Sequence, residues 1–304
     1  MSRRRPTRST PSTPATSADD LLTTLGRLTA QARRGAELQH ARVELAEALQ
    51  REMLPAVLPA LPGLRTAARY APARTGLDIG GDWYDGFTLP DGALAFCVGD
   101  VQGHDVEAAA MMGQVRIGLR AVAATATDPG QVLSRANDLL LSVGSSLFAT
   151  CSFLRFDPVT WELQSARAGH VASVWATAGG RWGIAEDAGG LPLGIQPGEV
   201  YPVTRRNLAE AGAFVLLTDG VVEGPSFPID KGLAMAAEVL VTGVCGGTAP
   251  EELAAGVMKV AELTGHSDDA AVLVLSHDAG PAEAVVRAGG GARRVARLAV
   301  RPPG

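Results

Sequence analysis

Acidic residues stand at several points of the sequence where a run of strand-forming residues begins or ends. Asp82 follows the glycine pair of "IGGDWYDG", and Asp100 ends the apolar run of "LAFCVGD". Asp219 ends the run of "FVLLTDG", while Asp268 and Asp269 precede "AAVLVL". Because strand ends in one sheet are neighbours, we expect these carboxylates to meet, and they repel one another unless a cation lies between them. The sequence therefore predicts a divalent metal site.

The side chains available as ligands indicate which metal this is. The chain has five histidines and three cysteines, but no HxxxH or CxxC pair. Oxygen ligands without such pairs favour Mg²⁺ or Mn²⁺ over zinc. Three or four carboxylates can hold two such ions if one carboxylate bridges, and two-metal sites commonly activate water for in-line attack on phosphorus. The pattern thus indicates a phosphate-ester substrate.

Asp82 and Asp85 lie three residues apart in a segment that reads as a strand. Side chains in a strand alternate between its faces, so only one of these two carboxylates can face a common site. We expect Asp82 to face it. Arginines that could contact a phosphate are Arg116, Arg120 and Arg155, and the sequence does not choose among them.

Composition excludes several classes of protein. The net charge of the 304 residues is −5, but residues 1–17 and 279–304 each carry +4, which leaves −13 between them. Such an acidic body disfavours nucleic acid as the main ligand. No run of about 18 apolar residues is present, so no membrane span is expected. Cysteines in apolar stretches without a CxxC pair predict three buried reduced thiols and fit a cytoplasmic location.

The chain divides into four predicted parts. Residues 1–17 form a disordered tail rich in Ser, Thr, Pro and Arg, and residues 18–63 form an amphipathic helical or coiled-coil linker. Residues 64–278 form the main domain, and residues 279–304 a flexible tail. Leucines of the linker recur at helical spacing, so this helix either forms a homodimeric coiled coil or packs on its own domain.

Strands and helices alternate irregularly through the main domain, which predicts an α+β fold with helices covering the sheets. Asp128 is expected to cap a helix, and Thr248 with Glu251 to form a capping box. Three successive strands between residues 148 and 178 read as an antiparallel meander. Strands are predicted over residues 64–70, 79–87, 93–101, 148–156, 161–167, 171–178, 213–220 and 268–276, and a helix over residues 105–126.

The order of the motifs resembles a known family. "GGDWYD", "VGDVQGHDVEAAAMM", "RAGH", "GLPLGI", "LLTDGVVE" and "SDDAAVLVL" follow one another as in the SpoIIE-type branch of the metal-dependent, type 2C-like Ser/Thr protein phosphatases. The resemblance covers about residues 49–276. It implies an αββα four-layer sandwich of two antiparallel sheets flanked by helices, here with an N-terminal helical extension.

The resemblance also implies roles for five residues. Asp100 would bridge two Mn²⁺ or Mg²⁺ ions. Asp219 and Asp268 would complete the protein ligands of one ion. Asp82 and the backbone carbonyl of Val101 would bind the other. A metal-activated water would then attack the phosphorus of phosphoserine or phosphothreonine, without a phosphoenzyme.

The expected substrate is a bacterial regulatory protein, by resemblance a small phosphorylated anti-sigma-factor antagonist. The alternative is a catalytically weak domain of the same fold that binds a partner. Three further residues stay open. His104 is either a general acid or a polar loop residue. Asp105 either caps a helix, which is the favoured role, or binds metal. His170 either fixes a turn or takes part in catalysis.

Overall fold

A computed structural model of the chain describes residues 18–72, 80–103, 106–144, 146–225, 227–265 and 268–280. The predicted tail at residues 1–17 lies outside the described residues, as do His104, Asp105 and all but the first two residues of the predicted tail at 279–304. The helices are α1 (Ala18–Met53), α2 (Val106–Ala123), α3 (Pro129–Val143), α4 (Asp219–Val222), α5 (Ile229–Cys245) and α6 (Pro250–Thr264). The strands are β1 (Leu64–Ala71), β2 (Trp83–Thr88), β3 (Leu94–Val101), β4 (Ala149–Asp157), β5 (Glu162–Ala168), β6 (Ser173–Thr177), β7 (Trp182–Ala185), β8 (Thr204–Asn207), β9 (Gly212–Leu217) and β10 (Ala270–His277).

The strands form two five-stranded antiparallel sheets. The first sheet has the order β1-β10-β9-β6-β7, and the second has the order β2-β3-β4-β5-β8. Large side chains such as Phe96 from the second sheet and Leu273 from the first share one core between the sheets. A second core joins α2 and α3 to the second sheet, and a third joins α5 and α6 to the first sheet. This is the αββα sandwich that the resemblance implies.

The chain changes sheets where the sequence predicted a continuous meander. β4 and β5 pair with each other in the second sheet, but β6 pairs with β7 and β9 in the first. The predicted meander of three strands is therefore wrong in its last strand. The predicted strand over residues 213–220 is also too long, because β9 ends at Leu217 and the short helix α4 begins at Asp219.

The predicted helix caps have different outcomes. Asp128 caps α3 as expected, since its Oδ1 accepts a hydrogen bond from the Gln131 backbone amide at 3.0 Å. The prediction of a capping box formed by Thr248 and Glu251 is wrong. The N-cap of α6 is Ala249, which makes no side-chain capping bond. Pro250 in the first turn starts this helix instead, because its fixed φ suits that position and its missing amide costs nothing there.

Helix α1 is one continuous 36-residue helix, about 54 Å long at the usual rise per residue. It ends at Met53, before the proline-rich segment that the sequence marked as its end. Leu25, Leu28 and Leu38 have exposed fractions of 62%, 56% and 65%. These three leucines therefore do not pack on the chain's own domain. Cys97 and Cys151 are buried as predicted, whereas Cys245 is exposed, which corrects the prediction for that thiol.

Asp85 joins β2 to helix α2 through a buried ion pair. Its carboxylate has no exposed surface and accepts two hydrogen bonds from Arg120, each at 2.6 Å, and one from Arg116 at 3.1 Å. Such bidentate, charge-assisted bonds are among the stronger polar contacts in proteins. Both arginines are thus held by Asp85, which corrects the expectation that they are available to a phosphate.

Replacing Asp85 by asparagine is expected to destabilise the fold. Removing one partner of a buried ion pair costs about 3–5 kcal/mol, and the lower end applies because the Arg120 side chain is 36% exposed. For a domain of this size, about 3 kcal/mol corresponds to a fall in melting temperature of about 6–12 °C. Differential scanning calorimetry measures this fall. A variant that melts within 2 °C of the wild type would show that this ion pair does not anchor α2.

Candidate metal centre

Four of the predicted acidic residues lie at one edge of the sandwich, but they come from two sheets rather than one. Asp82 directly precedes β2, and Asp100 lies near the end of β3, both in the second sheet. Asp219 follows β9, and Asp268 lies just before β10, both in the first sheet. The expectation that one sheet supplies the cluster is therefore wrong. Strand ends from two facing sheets meet here instead.

The glycine pair before Asp82 allows the chain to pass through this crowded edge. A Cβ atom added to Gly81 would lie 2.3 Å from the carbonyl oxygen of Val101 and 3.0 Å from Oδ1 of Asp100. One added to Gly80 would lie 1.2 Å from Oδ2 of Asp269. Only glycine fits at such close approaches. The Val101 amide also donates a hydrogen bond to the Gly81 carbonyl at 3.2 Å, which fixes this segment beside the end of β3.

The carboxylates interact strongly with one another. Burial, followed by the charges of Asp219 and Asp268, raises the pKa of Asp100 to about 8. Burial, followed by the charges of Asp100, Asp269 and Asp219, raises the pKa of Asp82 well above its usual value. The pKa of Asp219 is raised as well, by burial and then by Asp268. Since burial and like charges both disfavour ionised carboxylates, the ionised cluster calls for a positive charge.

The donor chemistry of the cluster fits a hard divalent cation. Oδ2 of Asp82 is buried and has no hydrogen-bond partner among the described residues. A buried carboxylate oxygen left unpaired is costly, and a bound cation removes that cost. The carboxylate oxygens of the cluster and the nearby Val101 carbonyl oxygen are donors of the kind that Mg²⁺ and Mn²⁺ prefer. Within the described ranges, however, no three His, Cys, Asp or Glu side chains stand close enough together to hold one ion. The cluster thus offers suitable donor atoms, but among the described residues they are not arranged as a complete coordination shell.

Two residues of this edge were given no separate role by the sequence. Thr218 is fully buried, its Oγ1 accepts a hydrogen bond from the Ala271 amide at 2.9 Å, and a hydrogen bond with Asp82 partly offsets the rise in that residue's pKa. Asp269 is 1% exposed, and its charge raises the pKa values of Asp82 and Asp100. A threonine between an apolar strand and an acid is the signal that could have indicated Thr218.

Arg155 lies away from the cluster. It pairs with Asp91 at 2.5 Å, next to the turn that joins β2 and β3. Asp100 faces Thr150 across β3 and β4, so Arg155 stands five residues further along β4, about 17 Å away. The expectation that it could contact a phosphate at the cluster is therefore wrong. His170 is buried beside the cluster, and its contacts are described below.

Comparison with known proteins decides the family. The model of the family described as Stage II sporulation protein E (SpoIIE) matches residues 90–278. The chain belongs to the SpoIIE family. Phosphoserine phosphatase RsbU of Bacillus subtilis is 26% identical to it over 182 residues, which are 60% of this chain and 53% of RsbU.

Solved structures share the fold of this SpoIIE family member. The RsbU and RsbW domains of Rv1364c from Mycobacterium tuberculosis superpose with a TM-score of 0.66 at 30% identity, over 75% of this chain and 64% of that one. The SiaA-PP2C domain of Pseudomonas aeruginosa superposes with a TM-score of 0.63 at 22% identity, over 82% of this chain and 98% of that one.

The chain spans about half the length of RsbU. Among the described helices, none is both long enough and apolar enough to cross a membrane.

Proposed function

We propose that this chain is a metal-dependent protein phosphatase that hydrolyses phosphoserine or phosphothreonine. The observation that carries the proposal is the meeting of carboxylates from two sheets at one buried edge, where Oδ2 of Asp82 is unpaired. Buried acids of like charge are costly unless they bind something positive. Membership of the SpoIIE family and the similarity to RsbU, a phosphoserine phosphatase, support the same reaction.

The proposed ligands follow the resemblance. Asp100 would lie between two ions, Asp219 and Asp268 would hold one of them, and Asp82 with the Val101 carbonyl would hold the other. Mg²⁺ or Mn²⁺ bound there supplies Lewis-acid charge and a nucleophilic water at neutral pH. RsbX, which shares the fold with a TM-score of 0.57 at 16% identity over 73% of this chain and 99% of its own, has been solved in complex with magnesium.

The chain's own residues have three tasks in this reaction. The carboxylates supply the negative charge that holds the cations, and the glycine pair lets the backbone approach the Val101 carbonyl closely. The ion pair of Asp85 with Arg116 and Arg120 holds α2 against β2, next to the strand that carries Asp100. This third task concerns the stability of the fold rather than the rate, because Asp85 pairs with the two arginines and is not a proposed ligand.

The proposed substrate is a phosphorylated regulatory protein, of the small anti-sigma-factor antagonist type. RsbU is named for its action on phosphoserine, and Rv1364c combines an RsbU domain with an RsbW domain in one protein. The name of RsbU supports phosphoserine as the group that is hydrolysed. A regulatory protein as substrate places the proposed reaction in the cytoplasm.

A direct assay tests the proposed function. Purified protein is incubated with a phosphoserine peptide and Mn²⁺, and released inorganic phosphate is measured. We expect turnover that depends on both the protein and the metal. Matched reactions contain the Asp100→Asn protein, which removes a contaminating phosphatase as the explanation.

The alternative is a catalytically weak domain that binds a phosphorylated partner. It predicts saturable binding of the phosphopeptide with no phosphate release. Binding measured by fluorescence anisotropy beside the release assay separates the two functions. Turnover at wild-type levels by the Asp100→Asn protein would contradict the proposed metal centre itself.

The exposed leucine row of α1 supports a homodimer. Apolar surface contributes about 25 cal/mol per Å² when it is buried, and a lone helix in water cannot realise that gain. Leu25 and Leu28, which lie on one side of α1, are more than half exposed in the single chain. We therefore propose that two copies of α1 bury these rows against each other.

Charged substitutions in the leucine row are expected to separate the dimer. In Leu25→Lys/Leu28→Lys, two ammonium groups enter the proposed seam, and the protein should sediment as a monomer at about 20 μM, where the wild type is a dimer. The matched control is Thr23→Lys/Ala30→Lys, which adds the same charge on the opposite side of the helix by its 3.6-residue period. Analytical ultracentrifugation checks all three proteins. A monomeric wild type, or equal dissociation of both variants, would reject the dimer.

A further inference from the structure

His170 lies where the chain crosses from one sheet to the other, between β5 and β6. It is 4% exposed, and both of its ring nitrogens are engaged. Nδ1 lies 2.8 Å from the hydroxyl oxygen of Thr150, and Nε2 lies 3.1 Å from the carbonyl oxygen of Leu217. Arg167 also donates a hydrogen bond to the His170 carbonyl at 2.6 Å, which holds its backbone.

The partners define the tautomer of the imidazole. The Leu217 carbonyl can only accept a hydrogen bond, so Nε2 carries the proton. Burial lowers the pKa of His170 to about 4, and the ring is therefore neutral at pH 7. Nδ1 then accepts the hydrogen bond that the Thr150 hydroxyl donates. With both nitrogens occupied in this way, the imidazole has no free position for proton transfer to a substrate.

One partner of His170 lies opposite a cluster aspartate on the neighbouring strand, and the other lies at the end of the strand that leads to a second cluster aspartate. Thr150 on β4 faces Asp100 across the second sheet. Leu217 is the last residue of β9 in the first sheet, two residues before Asp219. The imidazole therefore links the strand neighbour of Asp100 directly to the strand end that leads to Asp219. The charges of these two aspartates oppose each other, so a neutral hydrogen-bonded link at this point resists separation of the two sheet ends.

We propose that His170 is a positioning residue that sets the separation between the Asp100 and Asp219 sides of the cluster, and so sets its affinity for divalent cations. This proposal rests on the proposed function, because it concerns the same metal centre. Residues that orient metal ligands from outside typically change metal affinity or activity by about 10–100-fold when they are replaced. His170 does so across the interface of two sheets rather than through a direct bond to a ligand.

The experiment compares His170→Leu with a matched buried histidine. His277 is 8% exposed and ends β10, at the opposite end of that strand from Asp268. His277→Leu therefore removes a buried imidazole without touching the cluster. Isothermal titration calorimetry with Mn²⁺ alone measures affinity for the cation, and phosphopeptide kinetics measure kcat and KM.

We expect His170→Leu to bind Mn²⁺ at least about 10-fold more weakly and to lose a similar factor in kcat, with KM for the phosphopeptide within about threefold of the wild type. His277→Leu should keep wild-type Mn²⁺ affinity, even if its melting temperature falls equally. His170→Gln, whose amide can still donate to the Leu217 carbonyl, should recover part of the affinity.

Thr150→Val keeps the proposal testable if His170→Leu does not fold. It removes only the hydroxyl, and we expect a smaller loss of Mn²⁺ affinity in the same direction. In the double variant Thr150→Val/His170→Gln the two losses should not add, because both changes act on one link. Long-range ¹⁵N–¹H NMR of the wild type should show the Nε2–H tautomer at pH 7.

Two results would overturn the positioning role. One is unchanged Mn²⁺ affinity and kcat in both His170→Leu and Thr150→Val, which would leave His170 with a purely structural role. The other is an imidazolium or Nδ1–H form of His170 in the NMR spectrum. A wild-type protein that binds no Mn²⁺ would instead reject the proposed metal centre on which this role depends, and that result is distinct from both.

Discussion

Replacing Asp100 by asparagine is expected to lower the phosphatase rate by at least about 10²-fold, which is the usual cost of losing a main electrostatic stabiliser. The same change should raise the melting temperature of the metal-free protein. The reason is that burial, together with the charges of Asp219 and Asp268, makes an ionised Asp100 unfavourable in the folded state. A neutral amide of similar shape removes this repulsion. Activity and stability thus change in opposite directions, as they do where a site is built from strained groups.

Asp85→Asn is the matched comparison for this prediction. It makes the same chemical change three residues from Asp82, but Asp85 holds Arg116 and Arg120 instead of facing the cluster. We expect this variant to melt at a lower temperature and, when assayed well below that temperature, to keep most of its rate. Phosphate release and calorimetry on the same preparations measure both effects. Similar rate losses in the two variants would contradict the separation of Asp82 and Asp85 onto different sides of β2.

The sequence indicated the acidic cluster because its members lie at the ends of strongly apolar strands. Those strands are fully or nearly fully buried in the structure, as in β9 and β10. Where such a strand ends, the chain leaves the core, and an acid can stand at the edge of the sheet. The alternation of side chains likewise separated Asp82 from Asp85 without knowledge of the fold.

Sheet membership could not be read in the same way. The local pattern of β6 is that of any short buried strand, and only the packing of Trp175, Phe214 and their neighbours between the sheets determines its partner. β8 carries two arginines in four residues and is partly exposed, so it gives no apolar signal. The capping box failed because Pro250 competes with Thr248 for the start of α6.

The residues around the cluster were least visible in the sequence. Thr218, Thr150 and His170 act through hydrogen bonds between elements that are distant in the chain, and their partners depend on which sheets face each other. For His170 in the motif "RAGH", the sequence left two roles open, fixing a turn or taking part in catalysis. Its place between the sheets, with both nitrogens occupied, favours the proposed positioning role over direct proton transfer to a substrate.

Removing divalent metal is expected to abolish phosphatase activity, and adding Mn²⁺ or Mg²⁺ should restore it. The reason is that the cluster offers only oxygen donors, and the buried Oδ2 of Asp82 has no partner among the described residues. Binding should also stabilise the fold. A ligand at 100 times its dissociation constant adds about 2.7 kcal/mol, which corresponds to a rise in melting temperature of about 5–10 °C for a domain of this size.

The measurement uses chelator-treated protein, with a thermal melt and a phosphate-release assay at each metal concentration. Asp219→Asn is the control, because it removes one proposed ligand and should lose most of the metal-induced rise. The Asp85→Asn protein, which starts from a lower melting temperature, should show a rise as large as that of the wild type, since its substitution lies outside the proposed ligand set. Full activity after chelation, or restoration by Zn²⁺ alone, would contradict the assignment of Mg²⁺ or Mn²⁺. An equal rise in the Asp219→Asn protein would place the bound metal elsewhere in the chain.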